Sequence, residues 1–123
     1  MEKRIMIVDD DPDLLVILRA LFEKEHFEVL TVDTGYDCLK ELQRGFSGVI
    51  LMDLMMPFMD GYTTIHEIVK QGYAKLVKIV IITASSKKDQ DKYNELEPYI
   101  YDYIQKPFNI DWLLTNVKLA CID

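Results

Sequence analysis

Cysteine is scarce in this sequence: Cys38 and Cys121 are the two present, and they form no C-x-x-C pair and no cluster with other ligating residues. That argues against a disulfide framework or a thiolate metal site, and predicts two reduced thiols in a cytoplasmic protein. Positive charge is also short, with 14 Lys and Arg against 21 Asp and Glu and a net charge of −7. A phosphate backbone or an anionic lipid surface is met with clustered Lys and Arg, so no direct nucleic-acid binding and no membrane docking is expected. No apolar run approaches the roughly 20 residues of a membrane-spanning helix. No signal-peptide layout precedes the first strand pattern. Repeats, low-complexity segments and linkers are lacking. His26 and His66 lie apart from each other and from the acidic residues, so both read as surface histidines rather than phosphodonors.

What is present is ordinary in amount and specific in order. The 123 residues, half of them apolar, suit one domain over 1–123 with a core of its own. Arg4–Val8 reads as a strand, and Asp11-Pro12 as an N-cap with proline at the first helical position. Leu14, Leu15, Leu18, Leu21 and Phe22 follow at helical spacing. Phe27–Val32 predicts a second strand, and Thr34 caps a helix with Tyr36, Leu39 and Leu42 on its apolar side, stopped by Gly45. Gly48–Met52 is a third strand ending at Asp53. After a loop from Pro57 to Gly61, Tyr62, Ile65, Ile68 and Val69 mark a third helix that closes near Gly72. Lys78–Ile82 is a fourth strand ending at Thr83, Ser86 to Leu96 a weak and mostly polar helix, and Tyr103–Gln105 a short fifth strand. Trp112, Leu113, Val117 and Ala120 mark the last helix. Alternating strands and helices, with the strands apolar throughout, predict an α/β fold: a parallel sheet covered on both faces.

Such sheets bind ligands at the carboxyl ends of their strands. Here those ends carry Asp9-Asp10, Asp53, Thr83 and Gln105-Lys106-Pro107. Crowded carboxylates repel unless a cation sits among them, and Mg²⁺ takes oxygen ligands of this kind. A carboxylate can also act as a nucleophile and form an acyl phosphate. Asp53 stands alone at the end of the third strand, expected to be central, and is the candidate phospho-acceptor. Asp9 and Asp10, as a pair, are the candidate metal holders. Lys106 can neutralise a phosphoryl group and Thr83 can donate a hydrogen bond to it.

With these residues the chain resembles the receiver domains of two-component response regulators, from Lys3 to about Ala120. The motifs are IVDDDP (Ile7–Pro12), VILMDLMMPFMDG (Val49–Gly61), VIITAS (Val80–Ser85) and DYIQKPF (Asp102–Phe108). The resemblance implies a flavodoxin-like three-layer sandwich with five strands ordered 2-1-3-4-5. It implies that Asp53 takes a phosphoryl group from a sensor histidine kinase, a phosphotransfer protein or a small donor such as acetyl phosphate. Mg²⁺, with Mn²⁺ an alternative, would be held by Asp10, Asp53 and the backbone carbonyl of Met55, with Asp9 acting mainly through a metal-bound water. Lys106 would pair with the phosphoryl group, Thr83 and Tyr103 would form a switch pair, and Pro107 would follow a cis peptide bond. Phosphorylation would change the face made by the fourth helix, fifth strand and fifth helix, including Lys92, Tyr103 and Trp112. A downstream protein or output domain would read that face, which is also the expected homodimer surface. Beyond limited self-catalysed phosphorylation and dephosphorylation, no enzyme activity is expected.

Some positions depart from the family pattern. A Gly-Ala pair common before the fifth strand is Tyr99-Ile100 here, and Tyr99, Tyr101 and Tyr103 form an unusual aromatic cluster. It suits a protein contact; the plainer alternative is that two of the three rings cover the thin fourth helix. Met55, two residues after Asp53, has no amide or carboxylate to orient water, which predicts a phosphorylated state lasting minutes or longer. Met52, Met55, Met56 and Met59 read as core and loop packing rather than a soft-metal site. Two other functions compete: a pseudo-receiver that binds partners without phosphorylation, and a phosphohydrolase with an Asp nucleophile. The second needs another acid two residues after the nucleophile, and Asp53 is followed by Leu54-Met55.

Overall fold

The apolar runs form strands and the periodic segments form helices in strict alternation. They are β1 (Arg4–Val8), α1 (Pro12–Lys24), β2 (Glu28–Val32), α2 (Gly35–Gln43), β3 (Gly48–Asp53), α3 (Gly61–Lys70), β4 (Val77–Thr83), α4 (Gln90–Leu96), β5 (Ile100–Gln105) and α5 (Ile110–Ala120). The computed structural model describes residues 3–84 and 89–122. All strand pairs are parallel, and the order is β2-β1-β3-β4-β5, as expected.

Helix starts are set by side-chain caps that satisfy the otherwise orphaned first-turn N–H groups. Asp11 accepts from the N–H groups of Asp13 and Leu14 at 3.0 and 3.4 Å. Thr34 accepts from Asp37 N at 3.1 Å, Asp60 from Thr63 N at 2.8 Å and Asn109 from Trp112 N at 2.9 Å. At the start of β3, Gly48 has φ +139° and lies against the Arg4 carbonyl, where a Cβ would stand 2.6 Å from that oxygen. Only glycine meets both demands.

The sheet separates two apolar layers. On one face Ile5, Ile7, Val49, Leu51, Val80, Ile82 and Ile104 meet Leu18 and Phe22 of α1 and Leu113, Val117 and Ala120 of α5. On the other, Met6, Val8, Ile50, Met52, Ile79 and Ile81 meet Cys38, Leu39 and Leu42 of α2, Tyr62, Ile65 and Ile68 of α3, and Leu96 of α4. Period-two alternation along buried strands sends neighbouring residues to opposite layers.

Some boundaries and faces differ from the sequence expectation. Phe27 lies outside β2: its N–H closes α1 onto Phe22 O at 3.0 Å and its ring meets Phe22 edge-on at 5.2 Å. Tyr36 is exposed, and Cys38 takes the buried position on α2 instead. Strand β5 starts at Ile100 rather than Tyr103, with Ile79 paired to Ile100 and Val80 to Asp102, so Tyr101 bulges out of the ladder. Helix α4 is described from its cap Asp89 onward; the expected start at Ser86 and the end of the Val80–Ser85 motif lie outside the described residues.

Candidate functional site

The parallel register brings four strand ends to one edge. Asp9 follows β1 directly, and its N–H continues the ladder to Val32 O at 3.2 Å. Asp53 ends β3 opposite Ile82, and Thr83 ends β4 opposite Gln105. The N–H of Lys106 donates to Thr83 O at 2.7 Å, which places the lysine at the same edge. Asp9 and Thr83 are fully buried, Asp53 is 4% exposed, and Asp10 faces solvent. One carboxylate oxygen from each of Asp9, Asp10 and Asp53 can be chosen so that all lie within 4.8 Å of one another.

Burial and the neighbouring Asp9 carboxylate hold the Asp53 carboxyl above the usual aspartate range, and Asp10 adds to this. Against it act the Met55 N–H, which donates to Asp53 Oδ1 at 3.2 Å, and the Lys106 ammonium. Lys106 Nζ lies 2.8 Å from Asp9 Oδ2 and 3.9 Å from Asp53 Oδ2. In this state the lysine therefore sits mainly on Asp9 rather than on Asp53, whose phosphoryl group it is expected to meet. Asp9 Oδ1 accepts from Asp11 N at 2.9 Å, so its buried charge is partnered on both oxygens.

The donor set is oxygen-only, as a hard divalent cation requires. Ligands about 2.1 Å from Mg²⁺ stand roughly 3–4 Å apart. One oxygen each of Asp9, Asp10 and Asp53 already lies within 4.8 Å of the others, and carboxylates of this kind fit the ion. An anionic nucleophile, a cation seat and an ammonium within one buried edge are the parts that phosphoryl chemistry uses.

The remaining expected residues distribute around this edge. The Lys106–Pro107 peptide is cis. Tyr103 points inward: its hydroxyl is buried, its ring packs on the α2–α3–α4 layer and meets Tyr93 edge-on at 5.7 Å. Lys92 and Trp112 are exposed, so Tyr103 does not share their outward surface. Tyr99 and Tyr101 are exposed, which leaves the protein-contact reading of the tyrosine cluster to those two. Met52 and Met56 are buried and Met59 packs on the same layer, while Met55 is 62% exposed beside Asp53.

Two residues carry more than the sequence reading assigned them. Phe58, in the loop after Asp53, has φ +69° and is 91% exposed. Its signal was a bulky residue inside a Pro-to-Gly turn, where positive φ is common. Tyr62 was read as one more apolar position of α3, yet its buried hydroxyl finds no hydrogen-bond partner among the described residues.

Residues 5–118 match the family model for the response regulator receiver domain. The chain is 34% identical over 115 residues to the transcriptional regulatory protein CpxR homolog of Haemophilus influenzae, covering 94% of this chain and 48% of that one. The chain thus spans about half the length of that relative. Among solved structures it resembles a CheY-like receiver domain protein of Methanospirillum hungatei, with 35% identity, TM-score 0.88 and coverage of 96% and 93%. It also resembles the response regulator TrrA of Thermotoga maritima in complex with Mg²⁺-BeF, with 30% identity, TM-score 0.82 and coverage of 98% and 99%. By the matched residues, the strand order and the acid-lined sheet edge, the chain belongs to the receiver domain family of two-component response regulators.

Proposed function

We propose that the whole chain acts as one phospho-accepting receiver in a cytoplasmic two-component phosphorelay, with Asp53 as acceptor. The observation that carries this reading is the placement of Asp53: nearly buried, at the end of the central strand, with two further carboxylates and one ammonium around it. An Asp53 oxygen attacks the phosphorus of a phosphohistidine on a sensor kinase or phosphotransfer protein. The P–N bond breaks, the electron pair leaves with the imidazole, and an aspartyl phosphate forms. Asp10, Asp53 and the Met55 carbonyl would hold Mg²⁺, with Asp9 acting mainly through a water on the ion, and the ion would supply positive charge to the transferring phosphoryl oxygens. Lys106 leaves Asp9 and pairs with the phosphoryl group, and Thr83 donates to it. Tyr103 follows Thr83, and the surface of α4, β5 and α5 changes its preference for a downstream protein, an output domain or a second copy.

Intact mass after incubation with acetyl phosphate tests the reading. A Mg²⁺-dependent gain of one phosphoryl group in wild type, absent in Asp53→Asn and in EDTA, supports it. No gain from either acetyl phosphate or a phosphorylated donor protein leaves a phosphorylation-independent binding module. Met55 brings no group to orient water, so the phosphorylated form should decay over minutes or longer; decay within seconds contradicts that assignment.

A further inference from the structure

Tyr62 stands in the chamber into which the switch aromatic points. It is 8% exposed at the start of α3, in the same buried layer as Leu96 of α4 and Ile81 of β4, and the rings of Tyr93 and Tyr103 pack on that layer. Its hydroxyl is fully enclosed and finds no hydrogen-bond partner among the described residues. A buried hydroxyl without a partner is costly, and native structures keep few of them. Burial pushes the Tyr62 hydroxyl up to about 12, with Tyr103 and then Asp89 and Tyr93 adding to the effect, so at neutral pH it is an uncharged donor in need of an acceptor.

The missing partner bears on the switch because this structure has Tyr103 turned inward. An outward swing of that ring opens space beside Tyr62. Solvent entering that space would satisfy the hydroxyl. With Tyr103 inward, no described residue offers the hydroxyl an acceptor. We propose that Tyr62 is a third residue of the switch and acts as a brake: its hydroxyl penalises the inward position of Tyr103 and so lowers the population of the activated state. This inference rests on the proposed Thr83–Tyr103 switch. Tyr62 touches no reacting atom; it is a positioning residue.

Mg²⁺ with beryllium fluoride, the combination bound by the TrrA structure, is the probe. Its affinity is measured by calorimetry for wild type, Tyr62→Phe, Tyr103→Leu and the double variant, with thermal unfolding of each to establish that it is folded. Tyr62→Phe keeps the ring and deletes the orphan, so affinity should rise about tenfold. In the Tyr103→Leu background the same change should alter affinity less than twofold. An equal gain in both backgrounds overturns the brake and leaves a general packing effect. An unchanged affinity for Tyr62→Phe, with Tyr103→Leu still altering binding, overturns it while leaving the Thr83–Tyr103 switch standing. A folded wild type that neither binds the probe nor takes a phosphoryl group on Asp53 sinks the functional reading and this inference with it.

Discussion

Helices α1 and α5 cover one face of the sheet with Leu18, Phe22, Leu113, Val117 and Ala120, all buried and all apolar. At the β5 end of the other face, α4 offers one buried residue, Leu96, together with the partly buried ring of Tyr93. The first layer is closed by interdigitating aliphatic and aromatic groups that have one good arrangement. The second holds four tyrosines (Tyr62, Tyr73, Tyr93 and Tyr103), a seven-residue helix and, at Tyr62, a buried hydroxyl with no partner among the described residues. Few buried apolar contacts mean a low free energy of local opening, so this is the softer side of the sheet. The acid edge lies between them, with Asp53 on the strand both layers share and Thr83 on the strand next to β5.

The comparison can be broken most directly in the two cores. Phe22→Ala should cost about 3–5 kcal/mol in denaturant unfolding and destabilise the whole domain. Leu96→Ala should cost about 2 kcal/mol and show first as faster amide exchange over Gln90–Leu96. Equal costs, or exchange rising uniformly, would mean the two faces are equally firm. The joint between acceptor and α3 comes next. A Cβ on Gly61 would stand 2.5 Å from the Asp53 carbonyl oxygen and 2.8 Å from Leu54 Cα, both backbone atoms that cannot yield. Gly61→Ala should therefore cost about 1–3 kcal/mol and slow phosphorylation of Asp53, measured together by unfolding and by mass.

Phe58 sharpens the contrast between loop and core. Its left-handed backbone is strained and its ring is exposed, so the side chain contributes little packing to offset the strain. Phe58→Gly should gain about 0.5–1 kcal/mol, less than the strain alone because glycine also loosens the unfolded chain. A loss of stability would show that the ring packs on something.

The smallest effect concerns Asp53 itself. Its carboxyl is raised in the fold, so between the usual aspartate range and the raised value the folded protein holds a proton that the unfolded chain has lost. Metal-free stability from this group falls as pH rises through that window, and is level above it. In EDTA, Asp53→Asn should gain on wild type across the same window and keep its advantage at pH 7. Mg²⁺ should narrow or reverse the difference, since the ion meets the charge that the asparagine lacks. A gap that does not change with pH would remove carboxylate crowding as its cause.

Much of this was legible along the chain. The caps Asp11 and Thr34 act within four residues of themselves, as do Asp60 and Asn109, which the sequence reading did not single out, and strand and helix periods are local patterns. Strand ends were legible too, because Asp9, Asp53, Thr83 and Lys106 each interrupt or follow an apolar run. The misses have a common form. Tyr36 and Cys38 are two residues apart on one helix, and only the position of β1 and α3 decides which of them is buried. Tyr101 and Tyr103 look alike in sequence, and the irregular β4–β5 register sends one outward and one inward.

By itself the sequence determined the alternation of elements, the two-sided burial of the strands and the gathering of acids at their carboxyl ends. Those follow from hydrophobic period, capping chemistry and the right-handed parallel crossover, all of which act over short spans. Tertiary structure alone decided that Lys106 rests on Asp9 rather than Asp53, and that Tyr62 shares a layer with Tyr103 with no partner for its hydroxyl among the described residues. Lys106 and Asp9 are 97 residues apart. Which of two carboxylates an ammonium approaches, and whether a buried hydroxyl finds an acceptor, depend on differences of about an ångström between distant parts of the chain. Such differences are set when the layers pack, and no local pattern encodes them.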